Sequence, residues 1–128
     1  MHLLLLLILL AASPFCRAGD LSKYLSQYPE DVLQECNTAA KFSAMSQQER
    51  DVVLLTNLVR KDPKKFSEVF IDSYVDGSEF YESSNPYVVS LKRDLLTKKP
   101  LSVLKVHNTL NKTAKEHAIY CGNSGHMG

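Results

Sequence analysis

Apolar residues recur along most of this chain at helical spacing, and the breaks between them fall at prolines and capping residues. Leu21, Tyr24, Leu25 and Tyr28 stand at i, i+3, i+4 and i+7, one face of a short helix. Pro29 ends it, because proline lacks an N–H and its ring crowds the preceding turn. Pro29-Glu30-Asp31 opens a second helix, with proline first, acids at the positive end, and Val32, Leu33 and Cys36 on the apolar side. Residues 37–44 are small and polar and read as a linker. Ser46-Gln47-Gln48-Glu49 is a capping box, in which the serine oxygen takes the N–H of Glu49 and the glutamate reaches back. It predicts a helix through Val52, Leu55, Leu58 and Val59 to Arg60-Lys61.

Asp62-Pro63 stops that helix and at once starts another, with Asp62 as cap and Phe66, Val69 and Phe70 on its apolar side. A loop rich in Asp, Ser, Gly and Tyr fills 71–85. Asn85-Pro86 then repeats the cap-plus-proline device, and Val88, Leu91, Leu95 and Leu96 mark a helix whose negative end lies beside Lys98-Lys99. Pro100 to His107 reads as extended. The last helix is expected to be capped by Asn108 and stopped by Gly122, with Leu110, Ala114, His117, Ala118 and Cys121 on one apolar stripe. No segment alternates with period two and no repeat appears, so the pattern predicts a mostly α chain.

The N-terminus departs from this pattern. Leu3 to Ala12 is an unbroken run of ten apolar residues, too short to span about 30 Å of hydrocarbon as a helix. Cys16 and Ala18 are small residues placed for cleavage before Gly19, so residues 1–18 read as a secretory signal peptide, with an uncleaved anchor as the alternative. The product is then secreted, with no stable membrane insertion. The 15 Lys+Arg and 14 Asp+Glu become equal in number once Arg17 leaves, which gives no basic footprint for nucleic acid. An apolar content of 45% suits a compact fold and argues against disorder.

An oxidising compartment gives the two remaining cysteines a role. A Cys36–Cys121 disulfide would contribute about 4.5 kcal/mol in the chain-entropy account; the alternative is that each cysteine pairs beyond this sequence. His117 and Cys121 share a helix face at zinc-ligand spacing, but the apolar stripe favours a packed histidine beside a disulfide cysteine. The acidic stretch Asp72–Ser83 fails as a calcium loop, since Tyr74 and Ser83 occupy ligand positions. Lys61, Lys64 and Lys65 read as a solvated face. Asn111-Lys112-Thr113 is a glycosylation sequon one step off the apolar stripe and is expected to be exposed. His126, between glycines, is a lone candidate for a ligand cleft. No Gly-x-Ser-x-Gly motif or activated cysteine is present, so no catalytic residue is assigned.

Several of these spacings coincide in one family. Asn57-Leu58-Val59-Arg60, Asp62-Pro63-Lys64-Lys65-Phe66, Lys99-Pro100-Leu101 with Leu104, Leu110, Ala114, His117-Ala118 and Gly125-His126-Met127-Gly128 resemble the first half of a CAP domain. This is the SCP-like superfamily of cysteine-rich secretory proteins, antigen 5 and pathogenesis-related class 1 proteins. The resemblance covers residues 46–128, after a helical extension and linker at 19–45. It implies the N-terminal helical part of an α–β–α sandwich without its central sheet, and a binding function toward a sterol, a lipid or a protein partner, not an enzyme. His126 matches the first histidine of the family's cleft, and Asn57 and Arg60 match its Asn-x-x-Arg, where the reading is structural. Leu104 stands where many relatives carry an aromatic residue. Zinc at His126 would need ligands beyond Gly128, because zinc takes about three or four, so no cofactor is assigned. The alternative function is a truncated helical secreted protein with no cleft.

Overall fold

The computed structural model of the chain describes residues 21–73 and 84–125. The expected signal peptide at 1–18, most of the loop expected at 71–85, and His126 lie outside the described residues. Within them the chain is mostly helical and contains no strand. The elements are α1 (Ser22–Leu25), α2 (Glu30–Cys36), α3 (Gln47–Lys61), α4 (Pro63–Phe66) widening into a π turn (Ser67–Ile71), α5 (Pro86–Thr97) and α6 (Asn108–Ser124).

The caps form much as their chemistry dictates. Ser46 Oγ accepts the Glu49 N–H at 3.3 Å, and Glu49 Oε2 accepts the Ser46 N–H at 2.6 Å. Those bonds hold the Glu49 carboxyl below its ordinary pKa, with Lys115 adding to the effect. Asp62 Oδ1 accepts from the Lys65 N–H at 2.9 Å and Asn85 Oδ1 from the Tyr87 N–H at 3.0 Å, each beside a proline in the first turn. Arg50 braces the start of α3 by donating to the Met45 carbonyl at 2.7 Å and to Gln47 Oε1 at 3.0 Å.

Several ends differ from expectation. Pro29 is the N-cap of α2, at φ −59° and ψ 145°, and so lies just outside the helix. His107, not Asn108, is the residue before α6, and no side chain caps that end. Gly122 lies inside α6, and the helix runs on to Gly125, which adopts φ 68°. That left-handed conformation is cheap only for glycine, so Gly125 is the better terminator of the two.

The core gathers Tyr28, Cys36, Leu54, Leu58 and Val69, with Leu33, Phe66, Phe70 and Val103 packed around it. Leu58 is fully buried, worth about 2–3 kcal/mol by area. Beyond Phe66 the wider π turn buries Ser67 and Val69 while keeping Phe66 and Phe70 stacked, 4.7 Å between centroids; Tyr24 lies 5.3 Å from Phe70. Tyr28 is buried with its hydroxyl unpartnered among the described residues, and burial, reinforced by the charges of Asp62, Cys36 and Glu68, pushes its pKa up. The segment expected as extension and linker therefore supplies core: Tyr28, Cys36 and Ala39 are all buried. Polarity concealed this: the Thr38 hydroxyl turns to the Leu104 carbonyl and Ala39 is buried, while Asn37, Lys41 and Ser43 are exposed.

Two expectations about α6 are corrected. Its apolar stripe is not buried: no residue of the helix is, and Leu110 is 71% exposed. The helix meets the N-terminal end of α3 through Lys115, which donates to the Ala44 carbonyl and pairs with Glu49 at 3.6 Å. Nor is there a Cys36–Cys121 disulfide, since both cysteines are free. Cys36 lies beneath Asn57 in the second half of α3, whereas α6 contacts Glu49, eight residues and about 12 Å away along the same helix. Cys121 is a further turn and a half beyond Lys115.

Candidate functional site

The site is built around residues 98–107, which run between α5 and α6 without a turn or bend. Lys98 (ψ 140°) and His107 (φ −122°, ψ 126°) bracket it in extended conformation. Lys99 precedes Pro100, which disfavours helix at that point.

What holds this segment straight is α3. Asn57, fully buried, accepts the Leu104 N–H at 2.7 Å through Oδ1 and donates through Nδ2 to the Leu104 carbonyl at 3.1 Å. A side-chain amide thus pairs with both backbone groups of one residue, as a neighbouring strand would. The same Nδ2 donates to the Cys36 carbonyl at 2.9 Å and to Thr38 Oγ1 at 3.1 Å, and Thr38 Oγ1 donates to the Leu104 carbonyl at 2.7 Å. Three stretches of the chain distant in sequence, at residues 36–38, 57 and 104, are therefore joined at one amide. Arg60, one turn further along α3, accepts the Leu101 N–H on its carbonyl at 2.8 Å and donates from Nε to the Ser102 carbonyl at 3.0 Å. Asn57 and Arg60 thus share one target, the extended segment, and Arg60 bonds the Ser102 carbonyl and not a terminal carbonyl of its own helix.

Pinned in this way, the segment forms the floor of a groove of about 330 Å³. Val52, Val53 and Thr56 of α3 make one wall, Leu110 and Ala114 of α6 the other, and Leu104 and Val106 lie between them, with Met45 at one end. A depression of about 380 Å³ on α5 is larger, but residues of that helix alone line it, so it has no opposing wall. Asn111 lies in the groove lining and is half-buried, which corrects the exposed position expected of the sequon. A glycan there would stand at the rim of the groove.

The titratable candidates lie elsewhere. His117 Nε2 and Cys121 Sγ face each other at 3.5 Å on α6; the histidine is exposed, not packed, and the cysteine carries no disulfide. Among the described residues no group of three or more His, Cys, Asp or Glu is placed to hold a metal, so His117 and Cys121 have no further ligand for a zinc centre there. Burial pushes the Cys36 thiol up, with Glu35 adding to the shift and Lys61 opposing it, which leaves Cys36 a packing residue. Lys61 bonds Glu35 at 2.7 Å, a contact that raises the lysine pKa, so part of the basic cluster is spent in pairing. The sequence reasoning missed Thr38 and the groove itself; the signal was a short helix-linked proline segment, Lys99-Pro100-Leu101, followed by alternating Leu104 and Val106.

No family model, curated protein or solved structure matches the chain. Among the described residues no helix is long and apolar enough to cross a membrane.

Proposed function

We propose that this chain is a secreted binding protein of CAP type, acting by capture of an apolar ligand or partner segment and not by catalysis. The observation that supports the reading is the mostly apolar groove over Leu104, walled by α3 and α6. Most of its lining is apolar, with Thr56, Lys105, His107 and Asn111 as the polar members, and burial of apolar surface yields about 25 cal/mol per Å². The CAP assignment rests on the ordered spacings from Asn57 to His126, and the cleft role of His126 follows from that resemblance alone. Secretion rests on the apolar run at Leu3–Ala12.

An environment-sensitive apolar dye, titrated into the full chain, tests the groove. Saturable binding of about one dye per chain is expected, weakened at least tenfold by Leu110→Asp or Val52→Asp. Both side chains are more than 60% exposed, so both variants should keep the wild-type circular dichroism spectrum. Weak, non-saturating uptake that neither variant changes would refute the reading and favour the alternative, a helical secreted protein with no functional cleft.

A further inference from the structure

We propose that His117 and Cys121 form half of a zinc site, completed to two cysteines and two histidines by the same pair from a second copy of this chain. The inference is independent of the groove reading, and neither residue is the histidine that the family resemblance places in a cleft.

Four residues apart, the two side chains come to one face of α6, and His117 Nε2 lies 3.5 Å from Cys121 Sγ. Zinc bonds thiolate sulfur at about 2.3 Å and imidazole nitrogen at about 2.0–2.1 Å, so at a tetrahedral angle of about 109° the two ligand atoms on one ion stand about 3.5 Å apart. The pair is therefore already at ligand spacing, and binding requires no shift of the backbone. The metal takes the place of the proton that the two atoms share in the free chain. Packing of the histidine and a disulfide at the cysteine would each argue against zinc here, and the structure removes both objections: His117 is exposed and Cys121 is free.

A structural zinc takes four ligands, and among the described residues no third His, Cys, Asp or Glu joins the pair, so the remaining ligands come from elsewhere. The helix is open to them. Every residue from Glu116 to Tyr120 is exposed, and a Cβ at Gly122 would meet nothing within 4 Å, so the described chain leaves α6 clear around the pair. A second copy supplies the missing ligands in kind, because a two-fold axis through the ion turns one His–Cys pair into two. Each Cys121 thiol gives up its proton on binding, so two protons leave per zinc and the two thiolates balance the double charge of the ion. With 15 Lys+Arg against 14 Asp+Glu, two copies carry little net charge to hold them apart. Tyr120, beside the pair and 65% exposed, offers apolar surface for a facing helix to cover.

The test uses the full chain, kept reduced by a phosphine, with cobalt(II) as the spectroscopic probe and zinc as its competitor. Half an equivalent of cobalt per chain is expected to saturate both the visible bands of tetrahedral coordination and the near-ultraviolet thiolate-to-cobalt band, and zinc to bleach them. In sedimentation the monomer should become a dimer over the same titration and return with EDTA. His117→Ala and Cys121→Ser should keep the wild-type circular dichroism spectrum and each weaken metal binding at least about tenfold, the cost of losing even an outer-shell partner. Cys121→His, which exchanges one ligand for another, should keep the metal-dependent dimer and lose only the thiolate band. Absence of a thiolate-to-cobalt band in the wild type would overturn the proposal, as would cobalt bands that neither His117→Ala nor Cys121→Ser weakens. A dimer that forms without metal or survives EDTA would overturn it too. One cobalt per monomeric chain, lost on His126→Ala, would overturn it in favour of a site within one chain.

Discussion

Replacing Asn57 by alanine should be among the most damaging single changes in this chain. The side chain is fully buried, and its amide makes bonds of 2.7 to 3.1 Å to Leu104, Cys36 and Thr38. Each such bond contributes about 1 kcal/mol net, and a buried group left without a partner costs about 1–3 kcal/mol. Thr38 still serves the Leu104 carbonyl through its hydroxyl and the Cys36 carbonyl through its N–H after the change, so the group stranded is the Leu104 N–H. The expected loss is about 4 kcal/mol, a large part of the roughly 5–15 kcal/mol that keeps a domain folded. The melting midpoint should fall by about 20 °C at the usual scaling for this size. Urea unfolding followed by circular dichroism gives the free energy, and hydrogen exchange at the Leu104 amide shows whether the extended segment has come away. Asn57→Asp keeps the acceptor for the Leu104 N–H but turns a second oxygen toward the Cys36 and Leu104 carbonyls, so it should be no milder. A loss below about 1 kcal/mol, or a Leu104 amide as protected as in the wild type, would refute the claim that this amide stands in for a neighbouring strand.

The remaining expectations concern the capping box and the cysteines. The folded pKa of Glu49 is held below its unfolded value, so the stability it contributes is complete above the ordinary value near 4.5 and is lost as the pH falls through the lowered one. The stability difference between wild type and Glu49→Gln, which keeps the capping bond but not the charge, should be level from pH 7 to 6 and shrink below about pH 4.5; a difference independent of pH would show that the charge plays no part. Iodoacetamide at pH 8 should modify half-buried Cys121 well before fully buried Cys36, whose thiol is pushed up by burial, and Cys36 should react only on unfolding. Mass measurement reads this directly, and a chain that takes up no label before reduction would restore the bridge that the structure lacks.

Much of the helical frame was legible in the sequence because caps are local. Ser46 with Glu49, Asp62 with Pro63, and Asn85 with Pro86 satisfy helix-end N–H groups within three residues, so their identity alone locates the starts of α3, α4 and α5. What was missed depends on partners distant in sequence. Residues 37–44 look like a linker until Thr38 is seen to meet Leu104 and Asn57, and Ala39 is found beneath them. The stripe on α6 has good helical periodicity, yet periodicity predicts only which residues share a face and not whether anything covers that face. The cysteine pairing failed for the same reason: compartment and parity suggest a bond, but only the fold says that Cys36 sits under one half of α3 while α6 meets the other.

That attachment of α6 has a mechanical consequence. One wall of the groove is a helix with no buried residue, tied to the start of α3 by Lys115. Swinging it outward on the hinge at His107 would break the two contacts of Lys115 and expose little apolar surface, whereas displacing the floor would break the whole network at Asn57. The groove therefore has a base held by a hydrogen-bond network and a side held in part by an exposed ion pair that salt screens over about 8 Å at physiological ionic strength. Added salt should loosen that side and leave the floor as it is.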